Sequence, residues 1–123
     1  MKIGILGAGQ LGMMLGQAGS AFDMQFRFFD PATEIAARGL GEHFCYPYTD
    51  VEALEEFVEG LDVITYEFEN VPVQEVRWLA RRVPVYPPPD ALRVAQDRLF
   101  EKSFFVKAEI PTPPFADFFF HDE

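Results

Sequence analysis

Short unbroken apolar runs alternate along the chain with stretches in which apolar residues recur every three or four positions. Such runs predict buried strands, and the three-to-four spacing predicts amphipathic helices. The first run, Lys2 to Leu6, leads into Gly7-Ala8-Gly9-Gln10-Leu11-Gly12. Leu11, Met14, Leu15 and Ala18 then mark the apolar face of a helix ending at the breakers Gly19 and Ser20, with Met13 and Met14 expected to pack in the core. A second strand over Gln25–Phe29 stops at Asp30-Pro31, and Asp30 is positioned to cap a helix from Ala32 to Arg38 or to fix the turn. Phe44-Cys45-Tyr46 predicts a third strand.

Thr49 or Asp50 caps the next helix, whose apolar face is Val51, Leu54, Phe57 and Val58 and which Gly60 ends. Leu61 to Tyr66 is the fourth strand, followed by Glu67-Phe68-Glu69-Asn70-Val71-Pro72. On an extended backbone Glu67 and Glu69 share a side, with Phe68 opposite. Asn70, and with it Glu69, is a candidate cap for a helix reaching Arg82, with Val76, Leu79 and Ala80 inward and Arg77, Arg81 and Arg82 outward. Val83 to Tyr86 predicts a short fifth strand, and Pro87-Pro88-Pro89 stops it. Asp90 then caps a helix with Ala91, Leu92 and Val94, and another follows from Gln96. Phe115 to Phe120 reads as an apolar strand beyond a proline-rich break.

Strands alternating with helices define an α/β protein, a Rossmann-like open parallel sheet with flanking helices. The expected division is a domain over 1–95 and, over 96–123, a linker with the truncated start of a second domain.

Ligands of such folds bind at the carboxyl ends of the strands, where the glycine turn and Glu67 both lie. Gly7, Gly9 and Gly12 have the G-x-G-x-x-G spacing, in which free amides and a helix dipole favour an anion. Asp30 stands close to the roughly 20-residue offset of a ribose-binding carboxylate. Both features together suggest a nicotinamide-dependent oxidoreductase. The alternative reading of the turn is a strand-to-helix connection without ligand.

Charge and cysteine content narrow the partners. With 20 acidic against 10 basic side chains, the net charge of −10 disfavours nucleic acid and anionic membranes. No targeting or transmembrane segment is evident, because glycines and Gln10 and Gln17 interrupt the apolar start. The single cysteine, Cys45, excludes an internal disulfide, is expected to be a small buried hydrophobe, and suits a reducing cytoplasm.

Four stretches taken together, Gly7 to Gly12, Thr65 to Pro72, Ala95 to Lys102 and Ile110 to Pro113, resemble the N-terminal part of the 5-(carboxyamino)imidazole ribonucleotide synthases. These are ATP-grasp carboxylases of purine biosynthesis. The resemblance implies a pre-ATP-grasp domain on the substrate side of an ATP- and Mg²⁺-dependent ligase that carboxylates aminoimidazole ribonucleotide with bicarbonate, and a homodimer at full length. It also implies that Gln10 and Leu11 bind the ribonucleotide, that Glu67 accepts its amino group, and that Arg98 contacts ATP. Catalytic and metal-binding residues would lie outside this segment, leaving it inactive alone. Met13 departs from the pattern, standing where the family commonly has arginine. A cofactor domain of an NAD(P)-dependent oxidoreductase and a non-catalytic nucleotide-binding module remain the alternatives.

Overall fold

The computed structural model describes residues 1–116 of the 123. Four parallel strands form one sheet in the order β3-β2-β1-β4, with β1 at Lys2–Leu6, β2 at Gln25–Phe29, β3 at Glu42–Phe44 and β4 at Val63–Tyr66. The helices are α1 (Gln10–Ser20), α2 (Val51–Val58), α3 (Val73–Ala80), α4 (Pro89–Gln96) and α5 (Arg98–Lys107). The expected fifth strand is reduced to a single parallel bridge of Val85 to Ile64, closed by hydrogen bonds of Ile64 N–H to Pro84 and of Tyr86 N–H to Ile64. Prolines on both sides of Val85-Tyr86 supply no donors to extend it.

Side chains alternate across the sheet and build two cores. Leu6, Phe29, Phe44 and Ile64 point to one side, where they meet Leu54 and Phe57 of α2, Val76 and Leu79 of α3 and Leu92 of α4. Phe57 sits edge-on to both Phe29 and Phe44, at centroid distances of 5.3 and 5.7 Å. Ile5, Phe26 and Phe28 point to the other side, with Ala8, Ala37 and half-buried Met13.

Helix α1 turns its glycines to the sheet. Gly12, Gly16 and Gly19 are buried, whereas the expected apolar face of Leu11, Met14, Leu15 and Ala18 is exposed, so Met14 is not a core residue. The cause is the large aromatic layer of β2: a Cβ on Gly16 would come within 3.2 Å of Phe28, and one on Gly19 within 2.2 Å of Phe26. The aromatic rings take the space that larger helix side chains would need.

Other local expectations are corrected. Residues 32–38 form turns, not a helix, because the Asp30 carboxylate fixes the loop through Ala32 N–H at 2.8 Å. The third strand lies two residues earlier than expected, which leaves Cys45 exposed against the carbonyls of Pro31 and Ala32. Val51 is exposed on α2, and α3 begins after Pro72 without a side-chain cap from Asn70 or Glu69. Asp90 lies inside α4 and pairs with Arg77 at 3.3 Å instead of capping. One cap agrees with the sequence: Asp50 accepts from Ala53 N–H on α2. The last helix begins after Asp97 and not at Gln96, because the Asp97 carboxylate caps it by accepting from Leu99 and Phe100 N–H. Of the strand expected over Phe115–Phe120, residues 117–120 lie outside the described residues, and Phe115 and Ala116 take no regular structure.

Arg27 is the buried charged residue among those described, 8% exposed. Its Nη1 donates to the carbonyls of Glu56, Phe57 and Glu59 at 2.7–3.1 Å, and its Nε donates to Glu42 at 2.9 Å. The guanidinium thus satisfies the carbonyl end of α2, where a cation is also favoured by the helix dipole. Arg27→Met is expected to lower unfolding free energy by about 2–4 kcal/mol, because it orphans those carbonyls. A urea titration reads the loss, and Arg27→Lys should recover part of it.

Candidate functional site

The carboxyl ends of β1, β2 and β4 converge on the glycine turn. Gly7 makes the turn with φ of +102°, a conformation that favours glycine, and its N–H is held by the Phe29 carbonyl at 2.8 Å. The chain then enters α1 with Gly9 as N-cap, and neither acidic first-turn residues nor a side chain of the helix itself caps the end. The free amides of that end are taken by a residue far along the chain. Glu67 accepts from Gly9 N–H at 2.8 Å with Oε1 and from Gly12 N–H with Oε2.

The glycines are spaced for this carboxylate. A Cβ on Gly7 would lie 2.4 Å from Glu67 Cγ, and one on Gly9 or Gly12 would lie 3.0 Å from a Glu67 oxygen. Glu67 reaches the turn because β4 pairs with β1 in register, Leu6 opposite Tyr66, and its own N–H donates to the Leu6 carbonyl at 3.1 Å. Residues 67–70 bend away from the strand direction, so Glu67 and Glu69 are not paired on one side: Glu67 is half-buried and Glu69 exposed.

A second carboxylate completes the arrangement. Asp30 accepts from Ala8 N–H at 2.8 Å with one oxygen and from Ala32 N–H at 2.8 Å with the other. Ala8, Gly9 and Gly12 therefore donate to acidic side chains of this chain, and the expectation of free amides awaiting a phosphate is corrected. A pyrophosphate on the same amides would have to displace two carboxylates and meet their charge. The dinucleotide fingerprint is filled from within.

Tyr48 packs nearby, its ring against Phe29 at 5.7 Å and Phe68 at 6.2 Å. Its hydroxyl is buried and has no hydrogen-bond partner among the described residues. Burial, then the charges of Asp30 and Glu67, push its pKa up from its ordinary value of 10.0. Tyr66 is also raised, by burial. Sequence reading missed Tyr48 because its environment is assembled from three separate strand ends.

Beside Glu67 opens a cavity of about 300 Å³, walled by Tyr66 to Glu69 on one side and by Pro87 and Ala91, Leu92 and Ala95 of α4 on the other. Of the four expected ligand residues, Glu67 lines it. Gln10 and Leu11 sit exposed in the first turn of α1, next to the glycines that Glu67 holds. Arg98 lies apart at the start of α5, its exposed side chain paired with Glu101. Met13 is half-buried in the smaller core and offers no charge to the turn. Gln96, at the end of α4, donates to the Val71 carbonyl.

The fold and site define a Rossmann-like α/β domain whose glycine turn is closed by an acidic residue from the end of β4. The chain belongs to the ribonucleotide synthetase preATP-grasp domain family, whose profile matches residues 1–96. It is similar to the N5-carboxyaminoimidazole ribonucleotide synthase of Pseudomonas aeruginosa, with 50% identity over 117 residues, 95% of this chain and 32% of the relative. Among solved structures, the N5-carboxyaminoimidazole ribonucleotide synthetase of Thermus thermophilus superposes with a TM-score of 0.88 at 54% identity, over 91% of this chain and 31% of that one. An Aspergillus clavatus N5-carboxyaminoimidazole synthase solved with ADP and 5-aminoimidazole ribonucleotide superposes at 0.73 and 30% identity, over 89% of this chain and 30% of that one. The chain spans about a third of the length of these relatives.

Two measurements follow from the geometry. Glu67→Ala leaves two amides without their acceptor and should cost about 2–4 kcal/mol in urea unfolding. The raised tyrosine pKa values imply stability that is fully present below pH 10.0 and lost as the pH rises above it, since the unfolded chain ionises first. Tyr48→Phe is expected to flatten that alkaline decline, as read by melting temperature against pH.

Proposed function

We propose that this chain is the substrate-side, N-terminal portion of an ATP-dependent ligase that carboxylates aminoimidazole ribonucleotide with bicarbonate, giving 5-(carboxyamino)imidazole ribonucleotide in purine biosynthesis. The observation that carries the reading is Glu67, whose carboxylate is fixed by Gly9 and Gly12 amides and which lines a cavity of about 300 Å³. The names of the relatives support it, as does the Aspergillus clavatus structure with 5-aminoimidazole ribonucleotide.

A carboxylate oxygen has more than one lone pair, so Glu67 can hold the turn and still accept from a ligand. That suits the exocyclic amine of the ribonucleotide. Carboxylation forms a C–N bond at this amine while the activated bicarbonate loses phosphate and the amine loses a proton. An acceptor fixed on two backbone amides orients the amine without reorganising during the step. Gln10 and Leu11, on the exposed first turn of α1, are assigned to the same ribonucleotide.

ATP supplies the phosphoryl group that makes bicarbonate an electrophile. Arg98, exposed at the start of α5, is assigned to ATP, but one exposed arginine does not make a nucleotide site. Among the described residues no group of three or more His, Cys, Asp or Glu could hold a metal ion. The main nucleotide contacts and the metal ligands belong to the two thirds of the relatives that this chain does not span. Residues 1–95 form the substrate-side unit, and 96–123 lead toward the nucleotide-binding one. A cytoplasmic setting and a homodimeric full-length enzyme complete the proposal. No helix among the described residues is long and apolar enough to cross a membrane.

In a full-length enzyme carrying this segment, Glu67→Gln is expected to raise KM for aminoimidazole ribonucleotide or lower kcat by about 10- to 100-fold, the equivalent of one charge-assisted hydrogen bond. Unchanged kinetics would remove Glu67 from the site. The 123-residue chain alone should show no ATP hydrolysis dependent on that ribonucleotide. NADH binding abolished by Asp30→Ala would instead favour the oxidoreductase reading.

A further inference from the structure

Resting on the assignment of the exocyclic amine to Glu67, we propose that the heterocycle of the ribonucleotide seats in the cavity between the end of β4 and α4. There the Tyr66 hydroxyl donates to its unsubstituted ring nitrogen, and Ala91 and Ala95 set the size of ring admitted. At about 300 Å³ the cavity stands at the lower end of small-molecule sites, which run from roughly 300 to 1,000 Å³. Such sites combine apolar walls with a few polar groups that fix orientation. Here Pro87 and the α4 residues supply the apolar wall, and Tyr66, Glu67 and Glu69 supply the polar groups.

Strand geometry brings Tyr66 to the cavity. Ile64 and Tyr66 are two apart on β4 and share a side of the sheet, where Ile64 is buried in the larger core and Tyr66 packs against it. The chain then bends away from the strand direction at residue 67, so that consecutive Tyr66 and Glu67 both line the cavity. Tyr66 is half-buried, and burial raises its pKa above the ordinary 10.0, so at neutral pH its phenol is an uncharged donor. On α4, buried Leu92 fixes which face the helix turns to the core. Ala91 and Ala95, four apart, then stand together and exposed beside the cavity. A longer side chain at either position would enter it.

Aminoimidazole ribonucleotide offers a matching set of groups. Its exocyclic amine donates, and its unsubstituted ring nitrogen carries a lone pair like that of a neutral imidazole. An acceptor and a donor on adjacent residues, Glu67 and Tyr66, therefore answer both polar groups of one small ring. Charge sets the orientation. Glu67 and Glu69 in the lining disfavour a phosphate inside the cavity, so the phosphate end lies outside it and the heterocycle within. Gln10 and Leu11, in the first turn of α1 next to the glycines that Glu67 holds, remain free for the ribose phosphate. The flat ring then lies against the short side chains of Ala91 and Ala95.

The test is steady-state kinetics on a full-length enzyme carrying this segment. Tyr66→Phe should raise KM for aminoimidazole ribonucleotide about 10-fold, acting on KM more than on kcat, through the loss of one hydrogen bond. Ala95→Leu should raise KM by about 10-fold or more by filling the cavity, and Ala91→Leu serves if that variant fails to fold, with circular dichroism reporting the fold of each. Val94→Leu, on the same helix but outside the cavity, should leave KM unchanged. An analogue with a C–H in place of the ring nitrogen separates a contact from a packing role. The wild type should bind it about 10-fold more weakly than the ribonucleotide, and Tyr66→Phe should bind the two alike. Wild-type KM in Tyr66→Phe and in both alanine variants, beside an impaired Glu67→Gln, overturns this seating and leaves the assignment of Glu67 standing. Unchanged kinetics in Glu67→Gln overturns both.

Discussion

The contact of the Glu67 carboxylate with the amides of Gly9 and Gly12 is the constraint on which the rest of the site depends. A helix that begins on glycine, without an acidic first turn, leaves backbone donors and the positive end of its dipole uncompensated. In many proteins a bound phosphate answers that need. Here a side chain from the end of β4 answers it, and the glycines are the residues that let the side chain come so close. The parallel register of β1 with β4 delivers Glu67 to the turn, and the pairing of β1 with β2 delivers Asp30 to Ala8.

This internal closure separates two functions that share one sequence pattern. With its amides committed to acids, the turn presents negative charge where a dinucleotide fold presents donors. A group that meets the Glu67 carboxylate is favoured if it is an amine or hydroxyl that can donate. The polarity of the site is thus reversed relative to its fingerprint, which agrees with an acceptor role for Glu67 toward an amino group. Tyr48 adds a buried hydroxyl, which burial first, and then the charges of Asp30 and Glu67, keep protonated.

Much of the fold was legible because local rules and tertiary packing agree. The apolar runs of β1, β2 and β4, the Asp50 cap, and the aromatic and aliphatic residues of α2 and α3 each follow from spacing alone. The misreading of α1 has a specific cause. Its apolar stripe is real, but β2 fills the interface with Phe26 and Phe28, so only glycine fits beneath them and the stripe turns outward. Glu67 was recognisable as a ligand candidate from its place at the end of a strand. Its partners were not, since Gly9 and Gly12 are brought to it by strand pairing that no local pattern encodes. The same holds for Asp30, where the offset from the glycines suggested a ribose contact and the structure shows a clamp on Ala8 and Ala32.

Amide hydrogen exchange, followed by NMR at Ala8, Gly9 and Gly12 in the chain without ligand, tests the central interaction most directly. All three amides should be protected in the wild type, and Glu67→Ala should release Gly9 and Gly12 while Ala8 stays protected through Asp30. Fast exchange of Gly9 and Gly12 in the wild type, with protection gained only on adding pyrophosphate or a dinucleotide, would contradict the closure of the turn by Glu67 and restore it as a phosphate site.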